Sequence, residues 1–147
     1  MLKKLPKILS GDLLKALCDM GHGDILAIVD SNYPAHTMAK RLIEIPGTKA
    51  TDVLKAIIPY FQLDHIVESP ALLMAREPKD IEDGMEYPSI CTDFKDIIHS
   101  EADYRNTVVE EISRDDFYNK SRNAYVIIQT GEERLYGDIL LIKGPIK

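Results

Sequence analysis

Three short segments carry side chains suited to chemistry. The first is Gly21-His22-Gly23-Asp24. An unperturbed imidazole titrates near ~6.5, which suits proton transfer at neutral pH. Flanking glycines permit backbone conformations closed to other residues and leave the ring room for a ligand. The same four residues also read as a helix stop with an exposed histidine. The second segment is Asp30-Ser31-Asn32-Tyr33-Pro34-Ala35-His36. Asp30 follows five apolar residues, so its carboxylate is either a cap for the next turn or an acceptor facing a ligand. His36 is a second candidate acid–base group, or a structural histidine in a short helix. The third comprises Arg114, Tyr118 and Tyr136-Gly137-Asp138. A helix puts Arg114 and Tyr118, four apart, on one face. Together these residues can offer hydroxyl and carboxylate partners to a sugar, or form only a solvated helix and a hairpin turn.

Other chemistries lack their residues. The chain has no Gly-rich phosphate loop of the G-x-x-x-x-G-K-[ST] type and no Gly-x-Ser-x-Gly elbow. No Cys-x-x-Cys or His-x-x-x-His pair offers metal-ligand spacing. The net charge is -6 with both signs interspersed and no basic block, so a nucleic-acid partner is not expected. Cys18 and Cys91 both fall in apolar helical patterns and are expected as buried free thiols. Met1-Leu2-Lys3-Lys4-Leu5-Pro6 is basic, but the apolar stretch of a secretory signal does not follow. No apolar run approaches the ~20 residues of a membrane-spanning helix. The expectation is a cytoplasmic protein without a membrane partner.

The elements that must position these residues follow from periodicity. Ser10 is placed to cap a helix over residues 11–20, with Leu13, Leu14 and Leu17 as its stripe and Gly21 as its stop. Ile25-Leu26-Ala27-Ile28-Val29 is apolar without alternation, the habit of a strand buried on both faces. Further strands are expected at 41–45, 71–75, 107–112, 125–128 and 139–142. Further helices are expected from residue 51 or 52 to Pro59, over 89–100 and over 114–122. The polar stretch 77–87 reads as a loop, and 130–137 as a turn around Gly131. With 147 residues and 45% hydrophobic content, one core suffices. The expected fold is a single α/β domain over residues 1–147, in three layers, with a mixed β-sheet covered by helices on both faces. Ligands of such folds usually sit in loops at strand ends.

In this order, the motifs resemble the fucose mutarotase and ribose pyranase family along its whole length. The resemblance rests on Gly21-His22-Gly23-Asp24, on Asp30 through His36, on Thr130-Gly131-Glu132, and on Tyr136-Gly137-Asp138-Ile139-Leu140-Leu141. Pro34-Ala35-His36, Ala56-Ile57-Ile58-Pro59 and the Arg114–Tyr118 spacing bring it closer to the fucose branch. The resemblance implies an isomerase interconverting the anomers of L-fucose or a related aldose, with His22 as proton donor and Tyr118 near the reaction. It implies that Asp30, Arg114, Tyr136, Gly137 and Asp138 bind the sugar. It also implies a ring-shaped homo-oligomer, typically a decamer, with sites between subunits. One departure stands out: the family usually has Asn where this chain has Asp138. An ionised Asp only accepts hydrogen bonds, whereas Asn also donates.

Mutarotation opens a cyclic hemiacetal and closes it as the other anomer. It needs a proton delivered to the ring oxygen and one taken from the anomeric hydroxyl. No carbon-bound hydrogen moves, so neither metal nor other cofactor is expected. Geometry adds a constraint. If residues 24–30 are extended, their ends lie ~20 Å apart at ~3.3 Å per residue. His22 and Asp30 of one chain then cannot both touch one pyranose, which favours a site shared between chains. Two other readings remain at this point: a ribose pyranase, and a monosaccharide-binding module without catalysis.

Overall fold

A computed structural model describes residues 2–146. The Ser10 hydroxyl accepts from the Leu13 amide and starts α1 (Gly11–Asp19), satisfying one of the free donors of a helix start. The apolar run becomes β1 (Ile25–Val29), followed by α2 (Ala35–Met38) and β2 (Leu42–Ile45). In α3 (Ala50–Ile57) the apolar face is buried, and Pro59 converts the continuation into a 3-10 turn over Ile58–Tyr60. Then come β3 (Ala71–Met74), α4 (Pro78–Glu82), α5 (Ser89–Ser100), β4 (Val109–Ile112), α6 (Arg114–Arg122), β5 (Val126–Thr130) and β6 (Ile139–Ile142).

The strands form one six-stranded sheet in the order β2-β5-β1-β6-β3-β4. Pairings β2–β5, β1–β5 and β3–β4 are parallel, while β6 runs antiparallel to β1 and β3. Successive side chains of a strand point to opposite faces. Leu26 and Ile28 of β1 accordingly enter a core made with α1, α3 and α5, and Ala27 and Val29 enter a second core with Ala35 of α2 and Phe117 of α6. Helices cover both faces of a mixed sheet, as the sequence predicts.

Three expectations need correction. The stretch 77–87 is not all loop: Pro78 opens the short helix α4, at the first helical position where its missing N–H costs nothing. Cys91 is buried, but Cys18 is exposed, because it falls on the solvent side of α1. Gly21 does not stop α1 by a left-handed turn. Met20 leaves the helix in an extended conformation, and the left-handed residue is Gly23, at φ 85°.

The antiparallel insertion of β6 determines where the polar residues gather. Ile28 of β1 and Leu73 of β3 both pair with Ile139, the first residue of β6. Residues just after β1 and β3 therefore meet residues just before β6 at one edge of the sheet. The opposite edge receives the residues before β1, where the Gly23 amide donates to the Lys143 carbonyl at 2.8 Å. Among the described residues, no helix is long and apolar enough to cross a membrane.

Candidate active site

At the first edge, a cavity of about 190 Å³ is lined by Asp30, Asn32, Tyr33, Met74, Asp80, Arg114, Tyr118, Leu135, Tyr136 and Asp138. Larger hollows near the N-terminal segment and beside β2 gather neither buried carboxyls nor tyrosine hydroxyls. Sequence-predicted Asp30, Arg114, Tyr118, Tyr136 and Asp138 are thus brought together, from three separate stretches of chain. Gly137 joins them as spacer. A Cβ there would lie 2.9 Å from Glu132 Cγ and 3.2 Å from Asp30 Cβ, so the backbone of the turn approaches Asp30 only because the residue is glycine.

The two aspartates are buried, and the Asp30 amide donates to Asp138 Oδ1 at 2.9 Å. The Asp30 carboxyl accepts from the Asn32 amide at 2.9 Å, the turn geometry expected of an aspartate closing a strand. The backbone amides of Tyr33 and Gly137 beside it also favour its anion. Burial pushes the Asp138 carboxyl well above the usual range, and the Asp30 charge adds to the effect. Burial also raises Asp30, while its backbone donors oppose the rise. The Asp30 carboxyl thus both closes the turn and lines the cavity.

Helix α6 begins at the cavity. Arg114 donates to the Tyr118 hydroxyl from Nε at 3.3 Å and from Nη2 at 3.1 Å, so the spacing of four does place them together. Tyr118 packs edge-on against Tyr33, whose ring also meets Phe117. The Tyr33 hydroxyl is tied to Ser121 Oγ, and burial pushes it up to about 12. Tyr33 therefore backs Tyr118 as a neutral wall.

Tyr136 sits at φ 64°, in the left-handed region that non-glycine residues seldom adopt. Such a conformation costs on the order of 1–2 kcal/mol. The α4 segment holds it there: the Tyr136 hydroxyl accepts from the Glu77 amide at 2.9 Å and donates to Asp80 Oδ2. In the same turn Glu132 is buried and receives the Arg134 side chain at 3.0 and 3.3 Å, and Arg134 also pairs with Asp93 of α5. Asp80, Asn32, Tyr33, Met74 and Leu135 line the cavity although sequence reasoning did not select them. Asn32 and Tyr33 lie inside the Asp30–His36 motif; Asp80 carries no sequence signal, because the polar stretch around it has no apolar stripe.

His22 is not in this cavity. It stands at the other edge, with β1 between it and Asp30. Its Nε2 lies 3.1 Å from Asp64 Oδ2, and the imidazole is 48% exposed, open to an incoming group. Asp64 is buried and also accepts the Ile66 amide at 2.9 Å; that bond first, and His22 second, hold its carboxyl low. A buried carboxylate behind an exposed imidazole fixes the ring orientation and the tautomer. Asp64 was missed, for it lies 42 residues from His22 in sequence. His36 pairs with Glu44 on the exposed surface at 2.8 Å, away from both places. Among the described residues no group of three His, Cys, Asp or Glu side chains could hold a metal ion.

The chain is 35% identical to an L-fucose mutarotase of Haemophilus influenzae, over 98% of this chain and 96% of that one. It is 36% identical to a fucose mutarotase of Mus musculus, over 99% and 95%. The fold matches the crystal structure of a Streptococcus pneumoniae fucose mutarotase in complex with L-fucose, with a TM-score of 0.88, 35% identity, and coverage of 99% and 100%. Bacillus subtilis RbsD shares the fold at a TM-score of 0.74 with 20% identity, over the whole of both chains. The model of the RbsD / FucU transport protein family matches residues 3–146, and the chain belongs to that family.

Proposed function

We propose that the protein is an L-fucose mutarotase, one domain of residues 1–147 that interconverts the α and β anomers by opening and reclosing the ring. The observation that carries this reading is the cavity at the strand edge. There a carboxyl pair, a guanidinium and two tyrosine hydroxyls converge in a chain that matches fucose mutarotases over nearly its whole length. Such a set binds a polyhydroxylated ring by accepting from some hydroxyls and donating to others.

The chemistry needs one proton given and one taken. His22, backed by Asp64, delivers a proton to the ring oxygen, water takes the proton of the anomeric hydroxyl as the C1 carbonyl forms, and reclosure reverses both transfers. Asp30, Arg114, Tyr136 and Asp138 hold the sugar, Gly137 lets the turn approach it, and Tyr118 presents its hydroxyl beside the reacting centre. Positioned acid–base assistance of this kind is worth ~10²–10⁴-fold.

His22 and the cavity lie at opposite edges of the sheet, so one chain cannot bring both to one sugar. The reading that unites them is a homo-oligomer in which His22 of one chain enters the cavity of its neighbour. A head-to-tail contact of this type forms a ring when its rotation closes. We take the assembly to be a decamer of stacked pentamers and its location to be the cytoplasm. Exchange NMR on L-fucose, D-galactose and D-ribose tests the activity. The expected result is accelerated anomer exchange, fastest with L-fucose, and its loss in a folded His22→Ala variant. Acceleration only of pyranose–furanose exchange in ribose would select the pyranase reading, and binding without acceleration the non-catalytic one.

A further inference from the structure

Two carboxyl groups in one buried site cannot both ionise without large cost, so one of them keeps a proton. The hydrogen bonds decide which. The Asp30 carboxyl accepts from the Asn32 amide, and the backbone amides of Tyr33 and Gly137 beside it favour the anion further. Asp138 accepts from a single backbone donor, the Asp30 amide, on Oδ1. Asp138 is 4% exposed, and among the described residues no Lys or Arg forms an ion pair with either carboxyl.

We propose that Asp138 stands as the neutral acid beside an ionised Asp30. Its Oδ1 then accepts from the Asp30 amide while its Oδ2 hydroxyl donates to a bound sugar. The sugar-binding half of this inference rests on the mutarotase reading; the protonation half does not. A neutral acid both accepts and donates, whereas a carboxylate only accepts. The side chain therefore does the work of a primary amide, but only while it keeps its proton.

The surroundings support this state. Arg114 of α6 faces the same cavity and favours the anion, but its guanidinium is engaged by the Tyr118 hydroxyl. Asp80 of α4, which accepts from the Tyr136 hydroxyl, adds negative charge to the cavity. Glu132 works the other way, raising Asp30, but Arg134 binds it and offsets part of its charge. Burial pushes Tyr33 up to about 12 and the Cys91 thiol of α5 up to about 11, and it raises Tyr136 as well. These three stay neutral at physiological pH and leave the carboxyl pair to titrate.

Infrared difference spectra of the protein against Asp138→Asn, without sugar, read the proton directly. The expected result at neutral pH is the carbonyl stretch of a protonated carboxyl in the wild type, absent from D138N. In Asp30→Asn, which removes the neighbouring charge, that band should titrate away at lower pH. L-fucose affinity, measured by calorimetry from about pH 6 to about pH 9, reads the donor. Above the titration of Asp138 the wild type should lose about tenfold per pH unit, while D138N shows no such slope. Absence of the band overturns the proposal. A band whose titration leaves fucose affinity unchanged, or an equal slope in D138N, overturns the donor role. Failure of the wild type to accelerate anomer exchange at any pH sinks the mutarotase reading instead, and the band still decides the protonation.

Discussion

At the residue scale, the His22–Asp64 and Asp30–Asp138 pairs carry the account. Asp64 acts through His22, by fixing the ring. Asp64→Asn should lower kcat for anomer exchange by less than the ~10²–10⁴-fold expected on removing the imidazole, with KM for fucose little changed. Its pH–rate profile should shift as well, which a merely structural role would not produce. The second pair bears on stability. Burial raises both carboxyls above their ordinary value of 3.8. The folded state thus holds protons that the unfolded chain has lost. The stability this brings is fully present below about pH 3.8 and is lost as pH rises through the folded-state values. Asp138→Asn should remove most of that loss, so its Tm should gain on the wild type as pH is raised, in thermal melts from acid to mildly alkaline buffer.

At the element scale, strong patterns translated directly. Residues 89–100 and 114–122 became α5 and α6 with the bounds the periodicity gives, because each buries one stripe against a sheet face. The apolar runs became β1 and β6 for the same reason. Helix α4 escaped because none of its residues is buried, so it has no stripe to betray it. Cys18 shows the converse: an apolar-looking position in α1 can lie outside the stripe. Helix α6 positions Arg114 and Tyr118 through its buried Phe117, which meets the Tyr33 ring. Phe117→Ala should cost ~3–5 kcal/mol of stability and reduce fucose affinity by loosening that wall, as denaturant melts and calorimetry would show. Gly137→Ala forces a methyl group against Glu132 and Asp30. Overpacking of this kind costs ~1–3 kcal/mol, and the variant should lose fucose binding more severely than it loses stability.

At the scale of the whole molecule, sequence order and spatial order part company. The motifs lie along the chain in a sequence that reads as one site. The extended β1 already separates His22 from Asp30, a consequence legible from strand rise alone. What was not legible is the company each keeps. Asp64 reaches His22, and Asp138 reaches Asp30, only through the pairing of β6 beside β1, a tertiary fact that no local pattern encodes.

Subunit complementation tests the shared site most directly. His22→Ala and Asp30→Asn proteins, each alone, should fail to accelerate fucose anomer exchange, while the wild type accelerates it. If each site takes His22 from one chain and Asp30 from its neighbour, co-refolding the two variants in equal amounts rebuilds intact sites at about a quarter of positions. Exchange NMR should then recover about that fraction of the wild-type rate. A co-refolded mixture as inactive as either parent, or a wild type that does not accelerate exchange, would contradict it.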